Sequence, residues 1–128
     1  MNNIPLSQLR TLAMVGHGGS GKTTLIEALL AATGGIPAAG AVERGNTVCD
    51  YDPLEKAHLH SIKLAVAHLS HQDTLIHVLD TPGYPDYMGQ AMCALDAADT
   101  AVVVLDAKKG IELTAHRMMH WAQTRKLC

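Results

Sequence analysis

Phenylalanine is missing from this 128-residue chain, and aromatic residues make up only 3% of it. Hydrophobic residues still reach 48%, so the core must be aliphatic and alanine-rich. The three cysteines, Cys49, Cys93 and Cys128, are odd in number, widely spaced and form no CxxC pair. That speaks against a disulfide framework or a cysteine-rich zinc site and suits a reducing compartment. No long hydrophobic run exists. The longest aliphatic stretch, residues 101–105, is far too short to span a bilayer. The start, Met1-Asn2-Asn3-Ile4-Pro5, lacks the basic-then-apolar pattern of a secretory leader. These absences predict a soluble cytoplasmic protein with no membrane partner. There is no excess of positive charge either: the formal net charge is −2, and the local pairs Lys108-Lys109 and Arg125-Lys126 read as solvated surface. The chain therefore carries no independent nucleic-acid-binding signal. No internal repeat or second-domain boundary is visible, and the length suits one domain.

What the chain does contain is Gly16-His17-Gly18-Gly19-Ser20-Gly21-Lys22-Thr23, a match to G-x-x-x-x-G-K-[ST]. The apolar run Leu12-Ala13-Met14-Val15 precedes it, and a helix-like run beginning Thr24-Leu25-Ile26 follows. Strand, glycine loop and helix are the setting in which this motif binds phosphate. Glycines at 16, 18, 19 and 21 let the backbone curl until successive N–H groups point at one anion. The free N–H groups and positive dipole end of a helix starting near Lys22 add to that field. Gly18, Gly19, Ser20, Gly21, Lys22, Thr23 and Thr24 are thus the candidate nucleotide-binding residues. Lys22 brings a full charge to the β- and γ-phosphates, and the Thr23 hydroxyl is suited to Mg²⁺.

Taken in order, residues 1–9 read as a lead-in, and the first strand is predicted over 10–15 with its helix over 22–32. Residues 34–60 form a long segment of weak periodicity, the kind that is functional or disordered and here suggests a ligand-responsive loop. Residues 61–69 alternate as a half-buried strand, with Ile62, Leu64 and Val66 on one side. Ser70-His71-Gln72-Asp73 reads as a turn, and Thr74-Leu75-Ile76-His77-Val78-Leu79 as a third strand, antiparallel to the second. A helix follows over 87–97, a Val-rich strand over 100–105 suited to burial on both faces, and a last helix over 111–126. Met88, Met92 and Leu95 are read as core at helical spacing. His116 and His120 lie four apart on one helix, but no third ligand is evident, so the eight histidines are read as ordinary imidazoles. His17 is read as a packing residue.

Asp80-Thr81-Pro82-Gly83 ends the third strand. The C-terminal edge of such a sheet is where ligands bind. Asp80 can hold Mg²⁺ there, and the Gly83 N–H can meet a γ-phosphate and be released when it leaves. Many phosphate-loop ATPases end this strand in Asp-Glu. Thr81 stands in place of the Glu, which weakens an ATPase reading.

With these motifs the chain resembles the translational GTPases, and among them elongation factor G and its elongation-factor-G-like paralogues. The resemblance rests on Gly16 through Leu25, on Gly40-x-Val42-x-x-Gly45-x-x-x-x-Asp50, on Asp80 through Gly83, and on Ala94-Leu95-Asp96-x-Ala98 with Val102-Val103-Val104 and Gly110-Ile111. It implies an α/β phosphate-loop NTPase fold, mostly parallel with one antiparallel strand, in the order 2-3-1-4. It also implies that residues 1–128 are the N-terminal part of a GTPase domain, with the last strands and the guanine-reading Asn-Lys-x-Asp beyond Cys128. GTP or GDP and Mg²⁺ would be the ligands, the ribosome the partner, and the chain a monomer whose unfilled sheet edge is a liability for association. Three positions depart from the family. Gly19 stands where Asp is frequent, Ser61 where a Thr ligates Mg²⁺, and Tyr84 where a His orients the attacking water. The resemblance thus assigns Mg²⁺ to Thr23, Ser61 and Asp80, and the chemistry to Lys22, Gly83 and Tyr84. A Mg²⁺-dependent GTPase and a nucleotide-gated binding scaffold both remain open, with a phosphate-loop ATPase or kinase further off.

Overall fold

The computed structural model describes residues 4–128, so the first part of the lead-in expected over 1–9 lies outside the described residues. Four strands form one sheet in the order β2-β3-β1-β4. They are β1 (Leu9–Gly16), β2 (Ala65–His71), β3 (Thr74–Asp80) and β4 (Thr100–Val104). β1 runs parallel to β3, with Leu12 opposite Val78, and parallel to β4, with Met14 opposite Val102. β2 is antiparallel to β3, with Ala67 opposite Val78. The order and the single antiparallel strand are those expected from the sequence.

Ala13, Met14 and Val15 are all fully buried, as a central strand covered on both faces requires. Because successive side chains point to opposite faces, β1 feeds two separate cores. Ala13 and Val15 join Leu79 beneath α3 (Met88–Ala97) and α4 (Leu113–Thr124), where Ala91, Ala94, Leu95 and Met118 complete the packing. Met14 and Val78 point the other way, onto Ile26 and Leu30 of α1 (Lys22–Ala32). Alanines on α3 and a buried Met118 do the filling that phenylalanine does elsewhere. Met88 and Met92 pack against the first core, as the helical spacing predicts.

β4, read as suited to burial on both faces, is an edge strand whose five residues are all half-buried, and two further elements differ from expectation. β2 begins at Ala65 rather than 61, and its buried face is Ala65, Ala67 and Leu69, while Val66 turns to solvent. Residues 62–64 have their backbone groups taken by side chains instead of by a strand partner. The second of the two is α2 (Pro53–His58), a short helix inside the segment read as a loop. Asp52 caps it, Glu55 completes the capping box, and Pro53 sits at its first position. The turn between β2 and β3 is tighter than the four residues expected. His71 pairs with Thr74, and Gln72 and Asp73 both have positive φ, 47° and 62°.

Candidate functional site

The C-terminal ends of β1 and β3 open onto one cleft. Gly18, Lys22, Thr23, Asp50, Ser61 and Tyr84 line it, with Gly19, Gly21, Thr24 and Gly83. Two of the residues expected to bind ligand are set back from its wall. Asp80 lies behind Thr23 and is almost wholly buried, and the Ser20 hydroxyl is buried without a partner.

The loop curls as the glycines predict, though not at all four. Gly21 has φ 94° and precedes α1, whose first turn has no side-chain cap, so its backbone donors face the cleft. Gly18 does not adopt a positive φ. Its missing side chain matters for contact: a Cβ there would sit 2.9 Å from the Tyr84 ring. Lys22 Nζ donates to the carbonyls of His17 at 2.9 Å and Gly16 at 3.2 Å, and burial holds its pKa below the usual lysine value. Gly83 packs directly on this loop. The Gly18 N–H donates to the Gly83 carbonyl at 3.0 Å, and a Cβ on Gly83 would come within 2.6 Å of Lys22 Nζ.

Beneath the loop lies a chain of oxygens. The Thr23 hydroxyl donates to Asp80 Oδ2 at 2.8 Å, and Thr23 Oγ1 lies 3.4 Å from Ser61 Oγ. The Ser61 hydroxyl in turn donates to Asp50 Oδ1 at 2.7 Å, and Asp50 Oδ2 accepts from Thr47 at 3.1 Å. The structure therefore gathers Thr23, Ser61 and Asp80, the three residues to which the resemblance assigned Mg²⁺. It adds Asp50, for which the sequence suggested no role. Asp80 Oδ1 is buried with no partner. Burial, opposed by the Thr23 hydroxyl and the Lys22 ammonium, pushes the Asp80 carboxyl up to about 6. An orphaned carboxylate oxygen beside two hydroxyls is an all-oxygen donor set of the kind a hard divalent cation takes, so the residues present fit Mg²⁺. Cys49 is buried next to these carboxylates. Its thiol is pushed up by burial and by Asp80, Glu27 and Asp50, so it stays a protonated apolar filler.

The segment carrying Asp50 and Ser61 is held by two buried carboxylates that sequence reading did not single out. Glu27 of α1 accepts from the N–H groups of Gly40 at 2.8 Å and Val48 at 2.5 Å. Glu55 accepts from Ile62 at 2.9 Å and Lys63 at 3.0 Å, besides capping its own helix. An acid between apolar Ile26 and Leu30, and the Asp52-x-x-Glu55 box, were the available signals. His60, also unassigned, packs against Tyr84 with ring centroids 4.6 Å apart and the rings tilted by 48°. His17 Nε2 lies 3.3 Å from Glu112 at the start of α4. His116 and His120 are exposed, and no group of three or more His, Cys, Asp or Glu suited to a metal exists among the described residues.

A phosphate loop between β1 and α1, with an acid-terminated β3 beside it, defines a phosphate-loop nucleotide-binding domain. The chain belongs to the family described as the elongation factor Tu GTP binding domain, whose sequence model matches residues 7–128. It is similar to an elongation factor G-like protein of Mycobacterium tuberculosis, 43% identical over 104 residues, 81% of this chain and 15% of that protein. A mitochondrial ribosome-releasing factor 2 of Candida dubliniensis is 34% identical over 127 residues, 99% of this chain and 16% of that protein. A solved structure from Thermus thermophilus superposes with a TM-score of 0.90 at 42% identity, covering 94% of this chain and 18% of that one. The chain thus spans less than a fifth of the length of these relatives. No helix among the described residues is long and apolar enough to cross a membrane.

Proposed function

We propose that this chain is the N-terminal part of the GTPase domain of an elongation-factor-G-like translation factor, binding GTP and GDP with Mg²⁺ and hydrolysing GTP on the ribosome. The observation that carries the reading is the run of oxygens from Asp80 through Thr23 and Ser61 to Asp50 directly beneath the phosphate loop. The similarity to a protein named for ribosome release supports the choice of partner.

In this reading the N-terminal N–H groups of α1 and the loop backbone hold the β-phosphate. Lys22, already desolvated, gives up its carbonyl partners for phosphate oxygens. Thr23, Ser61 and Asp80 would hold Mg²⁺, which when bound neutralises charge on the β- and γ-oxygens. Gly83, pressed against Lys22, stands where the γ-phosphate must arrive, so nucleotide binding has to move its peptide. Tyr84, over Gly18, orients the attacking water by hydrogen bonding rather than by abstracting its proton, because a phenol is a weak base at neutral pH. Catalysis is then mainly positioning and electrostatics, and turnover without the ribosome is slow. Tyr84 also favours a second reading, a scaffold that switches with nucleotide and hydrolyses little. GTP turnover that stays at background with ribosomes present would select it.

The test is a titration with fluorescent GDP, GTP and ADP in Mg²⁺. In a longer form that carries the guanine-reading motif, GDP should bind better than ADP. Lys22→Ala should weaken GDP binding by about 2–5 kcal/mol, since it removes a buried charge from a charged partner. Undiminished GDP affinity in that variant would overturn the assignment of the loop.

A further inference from the structure

We infer that Gln90 is a positioning residue that ties the helix following Gly83 to Ser61, so that the GTP-dependent state of one reaches the other through a single side-chain amide. The inference rests on the nucleotide reading above. Gln90 lies in the first turn of α3. Its Oε1 accepts from the Leu64 N–H at 2.5 Å, and its Nε2 donates to the Ile62 carbonyl at 3.0 Å. A primary amide that donates to one residue and accepts from another two positions on holds this bent segment from one side, where no neighbouring strand does so. That segment has no strand of its own to pair with, because the β2 ladder begins only at Ala65. On the α2 side, Glu55 takes the N–H groups of Ile62 and Lys63.

Two side chains therefore fix the backbone of residues 62–64, and they come from two different helices, α2 and α3. Glu55 travels with the segment that carries Ser61. Gln90 travels with α3, which follows Gly83 and Tyr84 after one short 3₁₀ turn, Pro85–Tyr87. Ser61 is the residue immediately before the clamp, and its hydroxyl makes the contacts to Asp50 and Thr23. A shift of α3 on nucleotide binding is transmitted to that hydroxyl only while both amide bonds hold. Glutamate at 90 keeps the acceptor for Leu64 but sets a second acceptor against the Ile62 carbonyl. Leucine keeps the volume and removes both bonds.

The test compares fluorescent GDP and fluorescent β,γ-imido-GTP binding in Mg²⁺ for the parent chain, Gln90→Leu, Gln90→Glu, Ser61→Ala and the Ser61→Ala/Gln90→Leu pair. In the two single Gln90 variants GDP affinity should stay within about twofold, because Gln90 touches nothing in the phosphate loop. The ratio of imido-GTP to GDP affinity should fall roughly fivefold or more in both Gln90 variants, the low end of measured site-to-site coupling. It should fall no further when Gln90→Leu is added to Ser61→Ala. An unchanged ratio in both Gln90 variants overturns the inference. So does an undiminished effect in the Ser61→Ala background, or an equal loss of GDP affinity, which would mark Gln90 as merely structural. If the parent chain binds neither nucleotide, the nucleotide reading fails and this inference falls with it, an outcome separable from the others because it needs no variant.

Discussion

Asp80 is ionised at neutral pH against the preference of its surroundings. Its ordinary value of 3.8 is raised to about 6, chiefly by burial, and one of its oxygens has no partner. A carboxyl whose folded value lies above its unfolded value binds more protons in the folded state. Its contribution to stability is greatest below about pH 3.8 and is lost as pH rises to about 6. Asp80→Asn keeps an oxygen for the Thr23 hydroxyl and removes the charge. In chelator, this variant should be more stable than the parent by about 1–3 kcal/mol at pH 7, with the difference closing as pH falls toward 4. Thermal melts of both chains across that range check it. Stabilisation by added Mg²⁺ should shrink in the same variant. A destabilised Asp80→Asn at pH 7 would mean that the Thr23 bond outweighs the buried charge. At this scale the sequence was legible where chemistry demands contiguity. Gly18 through Thr24 must be neighbours to cradle a phosphate, so the pattern survives in one dimension. Ser61 was linked to Mg²⁺ only by resemblance, because its contacts to Thr23 and Asp50 exist only after folding. The long-range partners of Glu27, Glu55 and Gln90 were illegible for another reason. They are backbone amides of an irregular segment, and an amide leaves no trace in residue identity.

Among the elements, β1 and β3 were readable because a strand buried on both faces is a run of apolar residues ending in polar ones. β2 was misjudged at its start, since the alternation of Ile62 and Leu64 continues past the point where sheet pairing ends. α2 is only six residues long, too short for periodicity to announce it, although its capping box was in plain view. The β2–β3 hairpin carries a testable strain. A two-residue turn with both φ positive favours Asn-Gly, and here Gln72 and Asp73 occupy it. Residues with a Cβ pay in this conformation through contact with the following carbonyl. Replacing the pair by Gln72→Asn and Asp73→Gly should raise stability by about 1 kcal/mol, read as a higher urea midpoint with an unchanged slope. The turn lies at the opposite end of β3 from the cleft, so GDP affinity should not move. An unchanged midpoint would show that the hairpin already relaxes the turn through its neighbours.

For the molecule as a whole, the four-strand order places the phosphate loop at the sheet centre and leaves β2 and β4 as its edges. The two edges differ in kind. β2 presents His68, Ser70 and His71, whereas β4 is Thr-Ala-Val-Val-Val, uncharged and without proline. On the side of β4 away from β1, the Ala101 N–H donates to the Cys128 carbonyl at 2.9 Å. With the two-residue repeat of a strand, the Val103 N–H points to the same outer side. Unpaired, uncharged edges are templates for another chain, which sets the monomer implied by the resemblance against the liability expected from topology. The 128-residue chain should therefore associate reversibly as its concentration rises, with a weight-average mass above 13.6 kDa in sedimentation equilibrium. Val103→Pro removes the outward donor while leaving the bonds to β1 intact, and should hold the chain monomeric at some cost in stability from lost packing. Association that persists in Val103→Pro would move the contact to the β2 edge or to the exposed Tyr51, Leu54 and Leu59 beside the cleft. A parent chain that stays monomeric at every concentration would mean that the single Ala101–Cys128 bond is enough to close the edge.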